Sequence, residues 1–288
     1  MKHYDFGPYK YPLQSVKRFA HLSAQCRKIS ARLLCGLLAG LTLASSANAS
    51  RRVPVQVDGT HLPGQSYLED GITYVPLRYL LDAFGGWEIT WDHTTQQAIA
   101  VSDQKTLLAN PAEDQITIDD TTLSGQVSLE KGRTYVPLRL VAEALGNQVT
   151  WDPYLSGAAV TSSNADHNAV DLYWLSRIIY AESGAEPLDG QIAVGNVVLN
   201  RVTSKEFPNS VPGVIFDQTN GIQFEPVENG TVYRTPSPKS IEAAKRVLNG
   251  ENTIGSAMYF YAPLLSQGIW INANRTYLKT IGCHRFYL

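Results

Sequence analysis

The hexapeptide Thr73-Tyr74-Val75-Pro76-Leu77-Arg78 recurs as Thr134-Tyr135-Val136-Pro137-Leu138-Arg139, 61 positions later. A duplication of this kind restricts the first half of the chain to a fold built twice. The match continues on both sides. LLDAFGG (Leu80 to Gly86) parallels LVAEALGN (Leu140 to Asn147), and Ile89-Thr90-Trp91-Asp92 parallels Val149-Thr150-Trp151-Asp152 at an offset of 60, one residue having been lost in between. The units also open alike, with VQVD (Val55 to Asp58) and ITID (Ile116 to Asp119). The periodicities give each unit the order ββαββ. Gly85-Gly86 and Gly146-Asn147 supply the helix stops.

A YVPLR strand end, a short helix stopped by Gly and a TWD strand resemble the copper amine oxidase N-terminal domain-like (stalk) repeat, over roughly residues 52 to 162. The resemblance implies an exported or wall-associated attachment module placed ahead of a catalytic domain. It does not imply copper oxidation, which needs several clustered His ligands; His61 and His93 are isolated here and read as surface residues. Trp91 and Trp151 are either sugar-stacking residues or packing for each unit's helix, and their shared repeat position favours packing.

The 288 residues suffice for two domains. Arg27, Lys28 and Arg32 precede the apolar run Leu33 to Ala44, followed by Ala47-Asn48-Ala49. This is a positive n-region, an h-region and an A-x-A site, read as a secretory signal peptide over residues 1–49. The apolar run is too short to span a bilayer. Residues 1–49 hold seven Lys/Arg and one acid, so their removal leaves 17 basic and 25 acidic residues, a net charge of −8. So acidic a chain is a poor nucleic-acid binder. Cys26 and Cys35 leave with the signal; Cys283 remains alone, which excludes an internal disulfide. Residues before Cys35 do not form a lipobox. The remaining chain divides into the duplicated module, 50–162, a linker, 163–170, that takes in most of the polar run SSNADHN (Ser162 to Asn168), and a second domain, 171–288.

In that second domain, Asp171 to Arg201 reads as two helices separated by Gly184 and Pro187, with Asp189 as N-cap of the second. Leu172, Leu175, Ile178 and Ile179 form one helical stripe, and Glu182 lies four residues past Ile178 on the same stripe. A carboxylate that ends an apolar stripe loses hydration, which raises its pKa towards the range of a general acid. Glu182 is therefore the candidate catalytic acid. On the next helix Ile192, Gly195, Leu199 and Val202 make the core face, with Asn196 and Asn200 beside it. Two Asn inside a helix point to a buried hydrogen-bond network or to a sugar-contacting edge, the network being favoured. Ser237 and Pro238 open a third helix that ends at Gly250, and SAMYFYAP (Ser256 to Pro263) reads as a strand with Tyr259 and Tyr261 on one face.

Several segments, in order, resemble the spore cortex-lytic (SleB-like) cell wall hydrolases. They are YAESGAEP (Tyr180 to Pro187), GQIAVGNVVLNRV (Gly190 to Val202), Phe207-Pro208, Val214-Ile215, QFEPV (Gln223 to Val227), AMYFYAP (Ala257 to Pro263) and IGCHRF (Ile281 to Phe286). The resemblance implies a mainly helical, lysozyme-like catalytic domain with a small β element, an α+β protein of two domains in all. It further implies cleavage of the peptidoglycan glycan strand, and it places the family's catalytic Glu on Glu182. Its implied substrate contacts are Gln223 and Phe224 on a loop lining the cleft, Tyr261 on the strand, and, with less definite roles, Asn196, Glu186 and His284. Glu186 either orients Glu182 or caps structure; His284 either meets substrate or locks the C-terminal segment.

The residue census weighs the chemistries. A zinc amidase needs about three ligands, usually two of them His, and past the linker only His284 occurs. Cys283 and His284 are adjacent, so in a strand they point to opposite faces and cannot form a nucleophile–base pair. A hydrolytic glycosidase needs a second carboxylate, for which Glu186, Asp217 and Glu225 are candidates. A lytic transglycosylase needs one acid/base. The leading expectation is therefore an exported lytic transglycosylase of spore cortex or vegetative wall, without metal or cofactor, whose repeats bind wall or a protein partner. The alternatives are an N-acetylmuramoyl-L-alanine amidase, a hydrolytic muramidase or glucosaminidase, and a non-catalytic wall-binding protein.

Overall fold

The structure, a computed structural model, describes residues 50–288; the signal-peptide reading at 1–49 lies outside the described residues. Sheet dominates as far as Thr161 and helix from Ala169 onwards. The sheet-rich half begins with β1 (Arg51–Arg52), β2 (Val55–Val57), β3 (Thr60–His61), β4 (Tyr67–Glu69), β5 (Ile72–Pro76), α1 (Leu77–Phe84), β6 (Glu88–Asp92) and β7 (Gln97–Val101). After β8 (Thr106–Asn110) come β9 (Gln115–Ile118), β10 (Thr121–Ser124), β11 (Ser128–Glu130), β12 (Arg133–Pro137), α2 (Leu138–Ala144), β13 (Gln148–Asp152) and β14 (Gly157–Thr161).

The ββαββ reading is incomplete in one respect. Between its opening strand and its YVP strand each unit carries two further strands, β3 and β4 in the first and β10 and β11 in the second, and β1 precedes the first unit's opening strand. Nor are the units self-contained. β14, the last strand of the second unit, pairs in parallel with β2, the opening of the first. β7 reaches β9 through the inserted β8. Short opening strands cannot bury both faces alone, and partnership with the other unit completes their sheets.

The two YVP strands pair with each other. β5 and β12 run antiparallel with Val75 opposite Val136, Tyr74 opposite Pro137 and Pro76 opposite Tyr135, which makes this pair a pseudo-twofold axis. The flanking hairpins β4–β5 and β11–β12 turn through Asp70-Gly71 and Lys131-Gly132, with positive φ at both central residues of each turn. Such turns match the natural twist of a hairpin. Both helices lay Leu side chains, Leu77, Leu80 and Leu81 from α1 and Leu138 from α2, into one shared core with Val75, Val136, Leu107 and Ile116.

The helical half comprises α3 (Ala169–Ser183), α4 (Leu188–Thr203), α5 (Val211–Ile215), α6 (Glu225–Glu228), a 3-10 turn at Thr231–Tyr233, α7 (Pro238–Leu248), β15 (Tyr259–Tyr261), α8 (Ile269–Asn274), β16 (Tyr277–Ile281) and β17 (His284–Tyr287). Asn168 caps α3, its side chain accepting from Val170 N and Asp171 N. Pro187 rather than Asp189 precedes α4, leaving Asp189 inside the first turn. α3 is not the amphipathic helix its stripe suggested. It packs against α4, α5, α7 and β14, and Leu172 to Ile179 are buried all round, the pattern of a central helix. Each fully buried Leu or Ile there contributes about 1.5–3 kcal/mol.

Trp174 joins the two halves. Fully buried, its indole Nε1 donates to Asp152 Oδ2 at 2.7 Å, and Asp152 itself is 1 % exposed at the end of β13. The Trp174 ring meets Phe216 edge-on at 4.8 Å, and Phe216 stacks on Tyr154 of the sheet-rich half at 4.5 Å.

Candidate active site

Glu182 sits in the last turn of α3, partly buried. Its carboxyl is pushed up to about 7, by burial first and by the charge of Glu225 second, with Arg201 pulling the other way. The cost of ionising a carboxylate that has lost much of its hydration is the physical cause. At neutral pH such a group divides its time between acid and base, as a residue that must donate and then recover a proton requires.

Arg201 lies in the last turn of α4 and is 5 % exposed. Its guanidinium lies between three rings, 4.8 Å from the centroid of Phe207, 5.3 Å from Phe224 and 5.5 Å from Tyr259. Nε donates to Met258 O at 2.8 Å and Nη1 to Gln223 Oε1 at 3.4 Å. No carboxylate among the described residues makes an ion pair with it within 4.0 Å. Burial lowers Arg201 to about 10, which still leaves it a cation at neutral pH. The aromatic rings and the carbonyl hold a positive charge near Glu182 without neutralising the acid by direct contact. Replacing Arg201 by Met keeps the bulk and removes the charge. The proton on Glu182 is then held more tightly, so the alkaline limb of a pH–activity profile is expected to move to higher pH; an unmoved limb would refute the coupling. The carbonyl of Met258 loses its donor, at a cost of about 1–3 kcal/mol.

The other candidate residues fall into separate groups. Gln223 is tied on both ends of its amide, accepting from Arg201 and donating to Gly221 O at 3.0 Å. Phe224 is 2 % exposed and packs in the core; so placed, its ring backs Arg201 and offers no stacking wall to a sugar. Tyr261 is hydrogen-bonded to Asn272 Nδ2 at 3.0 Å, in a group with Tyr287, whose hydroxyl donates to Asn272 Oδ1 at 2.6 Å. Tyr259, on the same strand face, accepts at its hydroxyl from Arg275 Nη2 at 2.6 Å and lies 6.2 Å from the ring of Trp270.

Asn196 and Asn200 pin the segment after α7. Asn196 donates to Glu251 O at 2.6 Å and accepts from Thr253 N at 2.9 Å, while Asn200 donates to Gly255 O and Ala257 O, both at 2.8 Å. Glu186, 8 % exposed, accepts from Cys283 N at 3.1 Å. Gly282, at φ +56, lies so close to this carboxylate that any Cβ would overlap it. Glu186 thus fastens the β16–β17 turn, away from direct contact with Glu182. His284 is 6 % exposed, packs edge-on against Phe260 at 5.4 Å, and has no partner for Nδ1. Burial holds it below the usual imidazole range. Among the described residues no three His, Cys, Asp or Glu side chains converge as a metal-binding group.

Arg201 is the site residue the sequence reading missed. Its signal was present, since Ala193, Val197 and Arg201 recur every four residues along the buried face of α4, where an unpaired cation is costly.

The family described as Cell Wall Hydrolase matches residues 185–287, and the Copper amine oxidase N-terminal domain family matches residues 56–156. A spore cortex-lytic enzyme of Bacillus cereus is 40% identical over 116 residues, which are 40% of this chain and 43% of that protein. A cell wall hydrolase, CwlJ, of Halalkalibacterium halodurans is 31% identical over 99 residues, 32% of this chain and 68% of that one. The solved catalytic domain of the germination-specific lytic transglycosylase SleB from Bacillus anthracis is 37% identical, with a TM-score of 0.39, covering 43% of this chain and 98% of that one. The chain thus spans less than half the length of the Bacillus cereus relative.

Proposed function

Since the chain belongs to the cell wall hydrolase family, we propose that it is an exported enzyme that cleaves peptidoglycan glycan strands between N-acetylmuramic acid and N-acetylglucosamine. The observation that carries this reading is Glu182, a carboxyl held at about 7 at the end of the central helix. In its protonated form Glu182 gives its proton to the glycosidic oxygen as the bond to the muramic acid C1 breaks. The resulting carboxylate takes the proton from the C6 hydroxyl of the same sugar as that oxygen bonds to C1. A 1,6-anhydro ring closes, no water is consumed, and Glu182 returns to its starting state. The helical domain is read as lysozyme-like, the substrate as spore cortex or vegetative wall, and the sheet-rich module as the part that holds the enzyme on it. No described helix is long and apolar enough to cross a membrane.

Glu225 favours a second reading. It stands in the first turn of α6, exposed, and its charge raises the Glu182 carboxyl. A second carboxylate near the first could activate water and turn the same site into a hydrolase. Mass spectrometry of digested cortex and of vegetative sacculi separates the readings. Anhydro-muramic ends are expected; reducing muramic ends alone would assign hydrolysis, and release of intact glycan with free stem peptides would assign an amidase.

A further inference from the structure

The pseudo-twofold of the sheet-rich half produces two related surface sites, and they are not alike. The first is a cavity of about 490 Å³ between the start of α1, strand β6 and the β11–β12 hairpin, lined among others by Arg78, Tyr79, Trp91, His93, Leu129 and Arg133. None of its lining residues is acidic, although residues 51–162 hold fourteen Asp/Glu against seven Lys/Arg. Arg133 stands 5.8 Å from the centroid of Tyr79, and Arg78 donates to Ile89 O at 3.0 Å, keeping its remaining N–H groups free.

At the related positions of the second copy, Tyr79 becomes Leu140, His93 becomes Pro153 and Arg133 becomes Ile72, while Arg78 is kept as Arg139 and Trp91 as Trp151. Arg139 repeats the scaffold bond, donating to Val149 O at 2.9 Å. Gly64 and Gly125 repeat the close approach to Tyr79 and Leu140. The backbone of the site is therefore duplicated, and its polar equipment occurs once. The copies also differ in cover. The sheet order β1-β4-β5-β12-β11 adds β1 beside the second copy's rim and leaves β11, the first copy's rim, as a free edge. From β1, Arg51 reaches to 6.0 Å from the centroid of Trp151, whereas among the described residues no cation covers Trp91. Trp151 is otherwise 44 % exposed, contrary to the expectation that it packs on its unit's helix.

We propose that the Arg78–Tyr79–Trp91–Arg133 cavity is a binding site for a pyranose with a carboxylate beside it, and specifically for the peptide-bearing muramic acid units of the glycan strand. The identity of the saccharide rests on the proposed function; the site's selectivity for an anionic ligand does not. Aromatic faces take the C–H surface of a pyranose, hydroxyls of Thr90 and Thr134 line the same cavity, and guanidinium groups pair with carboxylate in fixed geometry. In the strand the lactyl carboxyl of muramic acid is amide-linked, so the carboxylate is supplied by the stem residues that it carries beside the ring.

The test uses the full exported chain and two variants. Tyr79→Leu with Arg133→Ile installs the second copy's residues; Arg133→Glu reverses one exposed charge and guards against misfolding of the first. Cosedimentation with purified sacculi is expected to weaken at least tenfold in both, while cleavage of a soluble muropeptide dimer stays at the parent rate. N-acetylmuramoyl-L-alanine should compete for binding and N-acetylglucosamine should not, and 0.5 M salt should bring the parent chain towards the variants. Equal cosedimentation of parent and variants, or equal competition by the two ligands, overturns the proposal. A parent chain that cosediments with this selectivity but cleaves nothing refutes the proposed activity and leaves the binding site standing.

Discussion

Glu182→Gln is expected to lose muropeptide release by a factor on the order of 10² to 10⁴, the range in which a positioned general acid contributes. Its fold should persist, because Gln fills the same volume and needs no proton to stay neutral. The same substitution carries a second signature. Because the folded carboxyl sits at about 7, above the ordinary glutamate value of 4.5, the folded state holds the proton more tightly than the unfolded chain. The stability this gives is complete below about pH 4.5 and is lost as pH rises through about 7. Gln does not ionise, so the variant is expected to be more stable than the parent at pH 8 and equal to it at pH 4, by at most about 3 kcal/mol at the alkaline end. Thermal melts across that range, alongside muropeptide assays, check both halves. Full activity in the variant refutes the catalytic role; melts that run parallel at every pH refute the buried acid. In the parent, activity should decline as pH rises through about 7, since only the protonated acid can start the reaction.

Trp174→Ala is expected to be the most destabilising single change in the helical half, at about 3–5 kcal/mol for the lost ring and its cavity. Part of that cost is borne across the boundary between the halves. The substitution removes the donor to Asp152 Oδ2 and the edge contact to Phe216. Trp174→Phe separates the two contributions, since it keeps a ring and loses only the indole N–H, at about 1–3 kcal/mol for the buried acceptor left without it. Urea unfolding gives the stabilities, and limited proteolysis of the segment at 162–168 reports whether the two halves loosen from each other. A Trp174→Ala chain with parent stability and parent proteolysis would show that the junction is held elsewhere.

The duplication, the cap of α7 by Ser237 and the position of Glu182 near the end of a buried helix were all legible in the residues. Each is a local signal: a repeated string, a side chain three residues from the N–H it accepts from, a period of 3.6. What was not legible depends on partners far apart in sequence. Asn196 and Glu251, Glu186 and Cys283, Trp174 and Asp152 meet only once the chain has folded. The α3 stripe suggested one buried face because sequence periodicity cannot count neighbours, and burial from α4, α5, α7 and β14 closed the other faces too. Phe224 misled in the other direction: an aromatic in a loop motif resembles a binding residue until the ring is found under Arg201.

The parallel pairing of β14 with β2 gives the first half an unusual order of assembly. The strand at residues 55–57 pairs locally with β3, but its other edge finds a partner only when residues 157–161 are present, about a hundred positions later. A chain threading across a membrane from its N-terminus would present its first strands long before anything could shelter their edges. The module would close in one late step, and a cut between the copies would leave two fragments with open sheets rather than one working unit and one lost. Duplication here has made a single cooperative body from two similar sequences, so neither copy is free to drift or be deleted on its own.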